Sequence, residues 1–170
     1  MKKLVLFAAI AAMPFFVSAQ ELKFGYINKM QVLYMMPEIS DVESKYADYA
    51  AQNKKLFEDS QAEAKKQYDL FQTMMQDPNA TEAKKKNQLD IVQGLEEKLQ
   101  TLQVTIQQDL QQKQVQLLRP LEEKLQKAID TVSKKNNFFM VFNLDSEAIV
   151  YKADKAIDIT EMVKKELNIK

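Results

Sequence analysis

Asp77-Pro78-Asn79 is the one interruption in a helical pattern that otherwise runs from about Pro37 to Asn136. Proline lacks a backbone donor and clashes with the preceding turn, so the first helix must stop here. Asp77 with Pro78 after it, or Asn79 with Glu82 three residues later, can start the next one. Apolar stripes flank the break on both sides, so the chain reads as a helical hairpin with its tip near 77–79.

Before the break, Val42, Tyr46, Tyr49, Leu56, Phe57, Ala64, Tyr68, Phe71 and Met75 recur at helical spacing. Asn53, Ser60 and Gln61 dilute that face, so it is not a strong zipper. After the break, Val92, Leu95, Leu99, Leu102 and Ile106 step by three and four, the spacing of a left-handed coiled coil. The stripe continues through Leu117, Leu121, Leu125, Ala128 and Val132 with a longer mean step, so it drifts or straightens there. Pro120 sits at the change and is expected to kink the helix.

The two ends differ in character. Leu22 to Ile27 reads as a short strand, followed by one or two helical turns from Asn28 as cap. Beyond Asn136-Asn137, Phe138 to Phe142 is a dense strand, Asp145-Ser146-Glu147 a turn, and Ala148 to Tyr151 a second strand. Those two predict a hairpin, with the N-terminal strand alongside. A short helix from about Thr160 to Leu167 follows, capped by Asp158 or Thr160. The fold class is therefore α+β. Residues 20–36 and 137–170 form a sheet-rich base, and 37–136 form the arm. One three-stranded sheet is marginal alone and leaves open edges. Pooling such sheets in a ring of identical copies closes those edges, which argues for a cyclic homo-oligomer.

Met1 to Ala19 reads as a secretory signal peptide, with Lys2-Lys3, a short apolar run, and Val17-Ser18-Ala19 at the cleavage site. The run falls short of the roughly 20 residues a membrane span needs. Removing it takes two of 24 basic residues and none of 24 acidic ones, leaving a net charge near −2. That balance gives no bulk attraction to nucleic acid. Cys and His are absent, which excludes disulfides and both Ser-His-Asp and Cys-His catalysis. Neither Gly25 nor Gly94 lies in a phosphate-binding loop. The sequence thus implies no enzyme, no cofactor and no metal. Adjacent acids such as Glu96-Glu97 point about 100° apart on a helix and read as solvated face. Asp158-Ile159-Thr160 reads as a helix cap with one core isoleucine.

The order of these segments is similar to a known family. Phe24-Gly25-Tyr26-Ile27-Asn28, the long hairpin, Leu117-Leu118-Arg119-Pro120-Leu121, Phe138-Phe139-Met140-Val141-Phe142, Ile149-Val150-Tyr151 and Asp158-Ile159-Thr160 follow one another across the mature chain. Together they resemble the Skp (OmpH-like) family of periplasmic chaperones, in its Bacteroides-type form. The resemblance implies a homotrimer whose base is a nine-stranded barrel, three strands from each copy. Three arms would surround a cavity that holds unfolded outer-membrane proteins in the periplasm, without ATP. The best-known members are strongly basic. This chain is near neutral, so apolar contact is expected to carry more of the binding, with at most transient contact to a membrane surface.

On this reading the candidate client contacts are Leu70, Phe71, Met74 and Met75 near the tip, and Tyr46, Tyr49 and Tyr68 along the thin seam. Methionine adapts to many apolar partners, and tyrosine pairs an apolar ring with a polar end. The bland alternative for each is packing within the arm. Met35 and Met36 read as core where arm meets base. The candidate assembly residues are Phe24, Tyr26, Phe139, Val141, Ile149 and Tyr151, with inward and outward positions left open by the alternation. The rival function is a coiled-coil adaptor of the cell envelope that binds one folded partner.

Overall fold

A computed structural model describes residues 22–169. The expected signal peptide, Met1 to Ala19, lies outside the described residues. The element order is β1 (Lys23–Ile27), α1 (Lys29–Met35), α2 (Ile39–Gln76), α3 (Glu82–Lys135), β2 (Phe138–Asn143), β3 (Ile157–Asp158) and α4 (Thr160–Glu166).

Local chemistry sets most of these boundaries. Asn28 caps α1, its side-chain oxygen accepting from the Gln31 amide at 2.8 Å. Pro37 lies in the turn before α2, not in its first turn. At the tip, Asp77 closes an Asx turn by accepting from the Asn79 amide at 2.9 Å. The cap of α3 is Thr81, whose hydroxyl accepts from the Lys84 amide. Neither Asp77 nor Asn79 takes that role. At the far end, Asn137 adopts φ 55°, a left-handed conformation that asparagine tolerates and that turns the chain into β2. Lys134 and Lys135 in the last turn complement the helix dipole.

The hairpin is long. At ~1.5 Å per residue, the 38 residues of α2 span roughly 57 Å and the 54 of α3 roughly 80 Å. Helix α3 stays continuous through Pro120. Its final third passes the root of α2 and enters the base.

The sheet has the order β2-β1-β3, and both pairings are parallel. This corrects the expected hairpin. Ile149 to Tyr151 form no strand, and the third strand is the two-residue Ile157–Asp158 on the other side of β1. The physical reason is topological. The end of α3 returns β2 beside β1 in parallel, and a second parallel partner needs a crossover connection, not a tight turn. Residues 144–156 supply it.

One core sits where arm, sheet and α4 meet. Ile27, Val32, Met36, Leu125, Ile159 and Val163 are almost wholly buried. Ile129 and Val132 join them from the same face of α3. Met36 thus belongs to the core, but Met35 is exposed. Gly25 lets the sheet come close: a Cβ there would lie 3.2 Å from Ile159 Cγ2 and from the Phe138 ring. The last helix is capped by the buried Ile159, with no side-chain cap bond, so neither Asp158 nor Thr160 is its cap as expected; Asp158 instead closes an Asx turn by accepting from the Thr160 amide at 2.8 Å.

Candidate functional site

Two surfaces could carry function: the arm and the outer face of the base. On the arm, the described core stops near the root. Farther out, the buried positions are Val92 and the polar Asn53 and Gln88. Asn53 satisfies its amide by donating to the Tyr49 carbonyl at 2.9 Å. Gln88 donates to both the backbone carbonyl and the side-chain oxygen of Gln67, at 3.0 and 2.9 Å. The interior of the arm is therefore partly polar, and all of it is hydrogen-bonded: no buried side-chain polar atom lacks a partner among the described residues.

This arrangement shifts the expected seam. Asn53, Ser60 and Gln67 occupy its inner positions, together with Phe57, Ala64, Phe71 and Met74. Leu56, Tyr68 and Met75 are exposed, at about half their area or close to it. Heptad-like steps of three and four place Gln67 between Ala64 and Phe71, so the inner face holds a glutamine where the apolar pattern suggested Tyr68.

The seven candidate client contacts do not form one patch. Phe71 and Met74 are half-buried on the face toward α3. Tyr68 and Met75, seven residues apart, share one side of α2. Leu70 is two residues from Tyr68, so it points to another side. Tyr46 and Tyr49 are half-buried near the root, roughly 30 Å from Tyr68 along the helix. Lys113 Nζ lies 5.2 Å from the centre of the Tyr49 ring, a cation–π contact across the hairpin.

On the base, the strand register sorts the candidate assembly residues. Gly25 and Ile27 face the core, and Val141, paired with Gly25, packs against the same core. Val141 is thus an inner residue of its own chain, not an outward assembly residue. Phe24 and Tyr26 face the other way, beside Met140 and Phe142. Phe24 packs edge-on to Phe139 at 5.9 Å and stacks with Phe142 at 6.3 Å. A register shift between Lys23 and Phe24 brings Phe139 to this face, where 62% of its area is exposed. The outer face is therefore aromatic and uncovered, a feature of large interaction surfaces.

The 144–156 crossover borders this face. Ile149 is half-buried, while Val150 and Tyr151 expose 95% and 83% of their area. Between crossover and sheet lies an open groove of about 750 Å³, lined by Phe24, Tyr26, Phe142, Ile149 and Tyr151 among others. Lys152 ties the crossover down. Its ammonium donates to the Tyr26 hydroxyl at 2.9 Å and lies 4.0 Å from the ring centre. The hydrogen bond to Tyr26 pushes the Lys152 pKa up, so the ammonium stays charged.

Sequence reasoning missed Gln67 and Gln88 because polar letters dropped out of the apolar count. It missed Met140 and Phe142 although both alternate with the inward Val141. Among the described residues no group of three acidic side chains gathers as a metal ion would need. No described helix is long and apolar enough to cross a membrane.

Fold and surfaces define a class: a long two-helix arm rooted in a small parallel sheet whose outer face is uncovered. The profile of the outer membrane protein (OmpH-like) family matches residues 23–167. The chain belongs to this OmpH-like family, which comprises periplasmic chaperones of the Skp type. No individual curated protein matches it.

Proposed function

We propose that this chain is an ATP-independent holdase of the periplasm that binds unfolded outer-membrane β-barrel proteins between helical arms. One observation carries the reading. The arm extends roughly 57 Å, the length of α2, with almost no fully buried apolar residue beyond its root, while the base keeps an aromatic face uncovered. Such an arm is built to contact something else. Such a base is built to be covered.

Three copies covering one another's outer faces would bury Phe24, Tyr26, Phe139 and Tyr151 and remove the open strand edges. Ile149 would sit at the same junction. The signal peptide would be cleaved near Ala19. The base, 20–36 with 137–170, would then hold three arms, each 37–136, around a shared cavity. Binding an unfolded chain lowers its free concentration and slows aggregation, while its folded form is not held. Weak apolar contacts from Leu70, Phe71, Met74 and Met75, with Tyr46, Tyr49 and Tyr68, would add through several arms. Exposed Leu70 and Met75 at the tip also suit transient contact with a membrane surface. The adaptor reading would call for a stiff apolar seam. The buried Asn53 and Gln67–Gln88 layers favour the holdase instead, because polar layers weaken a coiled coil.

The test is light scattering while two unrelated barrel proteins are diluted out of urea. The mature chain should suppress aggregation of both at one assembly per client, without nucleotide. No suppression of either at a large excess of chaperone contradicts the proposal.

A further inference from the structure

Charge is distributed very unevenly along α3. Residues 82–98 carry 8 charged side chains in 17, and residues 119–135 again carry 8 in 17. The 20 residues between, 99–118, carry only Asp109 and Lys113, and both are half-buried. Lys113 is turned to Tyr49 across the hairpin. The same 20 residues hold eight glutamines, all exposed. Val104 and Val115 stand exposed among them. Gln100, Val104, Gln107, Gln111 and Gln114 step by four and three, so they form one continuous row. At ~1.5 Å per residue this charge-poor band is roughly 30 Å long.

Helix formation does not require this composition. Lysine and glutamate have the same helix propensity as glutamine, and they pair along a surface as the rest of α3 does. The exposed row lies outside the half-buried seam of Leu99, Leu102, Ile106 and Leu110, so it is not packing for α2. What distinguishes glutamine is that its amide both donates and accepts, like a peptide group. An unfolded barrel strand offers unpaired peptide N–H and C=O groups, which are strongly hydrogen-bonding. It also alternates apolar and polar side chains. A row of amides broken by valine methyls complements that pattern, and carries no charge that would discriminate among clients.

We propose that the Gln100–Val104–Gln107–Gln111–Gln114 row is a binding surface for extended, unfolded polypeptide, gripping its backbone amides with no net electrostatic term. The inference rests on the holdase reading and names the surface and chemistry that serve it. At the ~3.3 Å rise of an extended chain, the band spans about nine client residues, close to one transmembrane strand.

The experiment measures binding of a fluorescent eight-stranded outer-membrane barrel protein, diluted from urea, to the whole mature chaperone. The wild type is compared with the variant Gln100→Ala, Gln107→Ala, Gln111→Ala, Gln114→Ala, and with Gln107→Glu, Gln111→Glu. Alanine and glutamate both keep the helix. We expect about tenfold weaker binding for each variant, from several modest hydrogen bonds lost together. Wild-type affinity contributed by this row should hold between about 50 and about 500 mM salt, since no charge is screened. If the wild type binds and both variants bind equally well, this inference falls and the holdase reading stands. If the wild type does not bind, both fall. If sedimentation shows that the alanine variant changes its copy number, the row is a contact between arms and the inference is overturned.

Discussion

Gln88 of α3 reaches across the hairpin and donates its side-chain amide to both the carbonyl and the side chain of Gln67 in α2. This buried double contact pins the register of two helices whose apolar seam is thin. Gln88→Ala removes it and leaves the Gln67 carbonyl without its extra donor. The expected loss of unfolding free energy is about 1–2 kcal/mol, read from urea titration. Gln88→Leu should recover most of that loss by apolar packing. A Gln88→Ala protein as stable as wild type would show that the contact does not hold the arm.

The single core at the root should dominate stability. Leu125 is almost wholly buried there, whereas Val115 is mostly exposed on the same helix. Leu125→Ala should cost about 2–5 kcal/mol, from lost burial plus a cavity. Val115→Ala should change stability by less than about 0.5 kcal/mol. Denaturant midpoints of the two variants check the contrast, and similar losses for both would contradict it.

Lys124 hydrogen-bonds Glu38 at the root of the arm and holds its carboxyl below the usual glutamate range. The folded state therefore binds this proton less tightly than the unfolded chain. The resulting stabilisation is present above the ordinary glutamate range and is lost as pH falls through the depressed value. Both side chains are about half exposed, so solvent screening limits the pair to under about 1 kcal/mol. The stability gap between wild type and Glu38→Gln should be measurable at about pH 7 and should vanish in acid. A gap that grows on acidification reverses the sign.

Assembly should depend on the outer sheet face and not on the inner one. Phe139 is exposed in the single subunit, so Phe139→Asp should leave the fold intact while breaking the oligomer. Val141 packs against its own core, so Val141→Asp should lower helical signal and melting temperature as well. Circular dichroism and sedimentation of both variants separate the two effects. Equal oligomer mass for wild type and Phe139→Asp would place the interface elsewhere.

The hairpin was legible because breakers are scarce and Asp77-Pro78-Asn79 stands alone. The cap at Asn28 follows from asparagine chemistry that a sequence displays, whereas the left-handed turn at Asn137 emerged only in the structure. The third strand was not legible. Ile157–Asp158 is too short to show alternation, while Ile149 to Tyr151 has strand-like residues without a strand. Pairing there depends on where α3 delivers β2, a non-local fact. The arm interior failed for another reason. Gln67 and Asn53 are inside because helical phase puts them there, whereas Tyr68 and Leu56 are apolar but out of phase. Among the candidate residues, Phe24 and Tyr26 share a face by alternation, but Phe139 joins them only through the register shift beside Lys23, which the sequence does not display.

Sedimentation velocity of the mature chain, alone and with one unfolded barrel protein, tests the central claim most directly. The account predicts a species of three chains that gains the mass of a single client. A folded single chain at micromolar concentration, unchanged by the client, would contradict it.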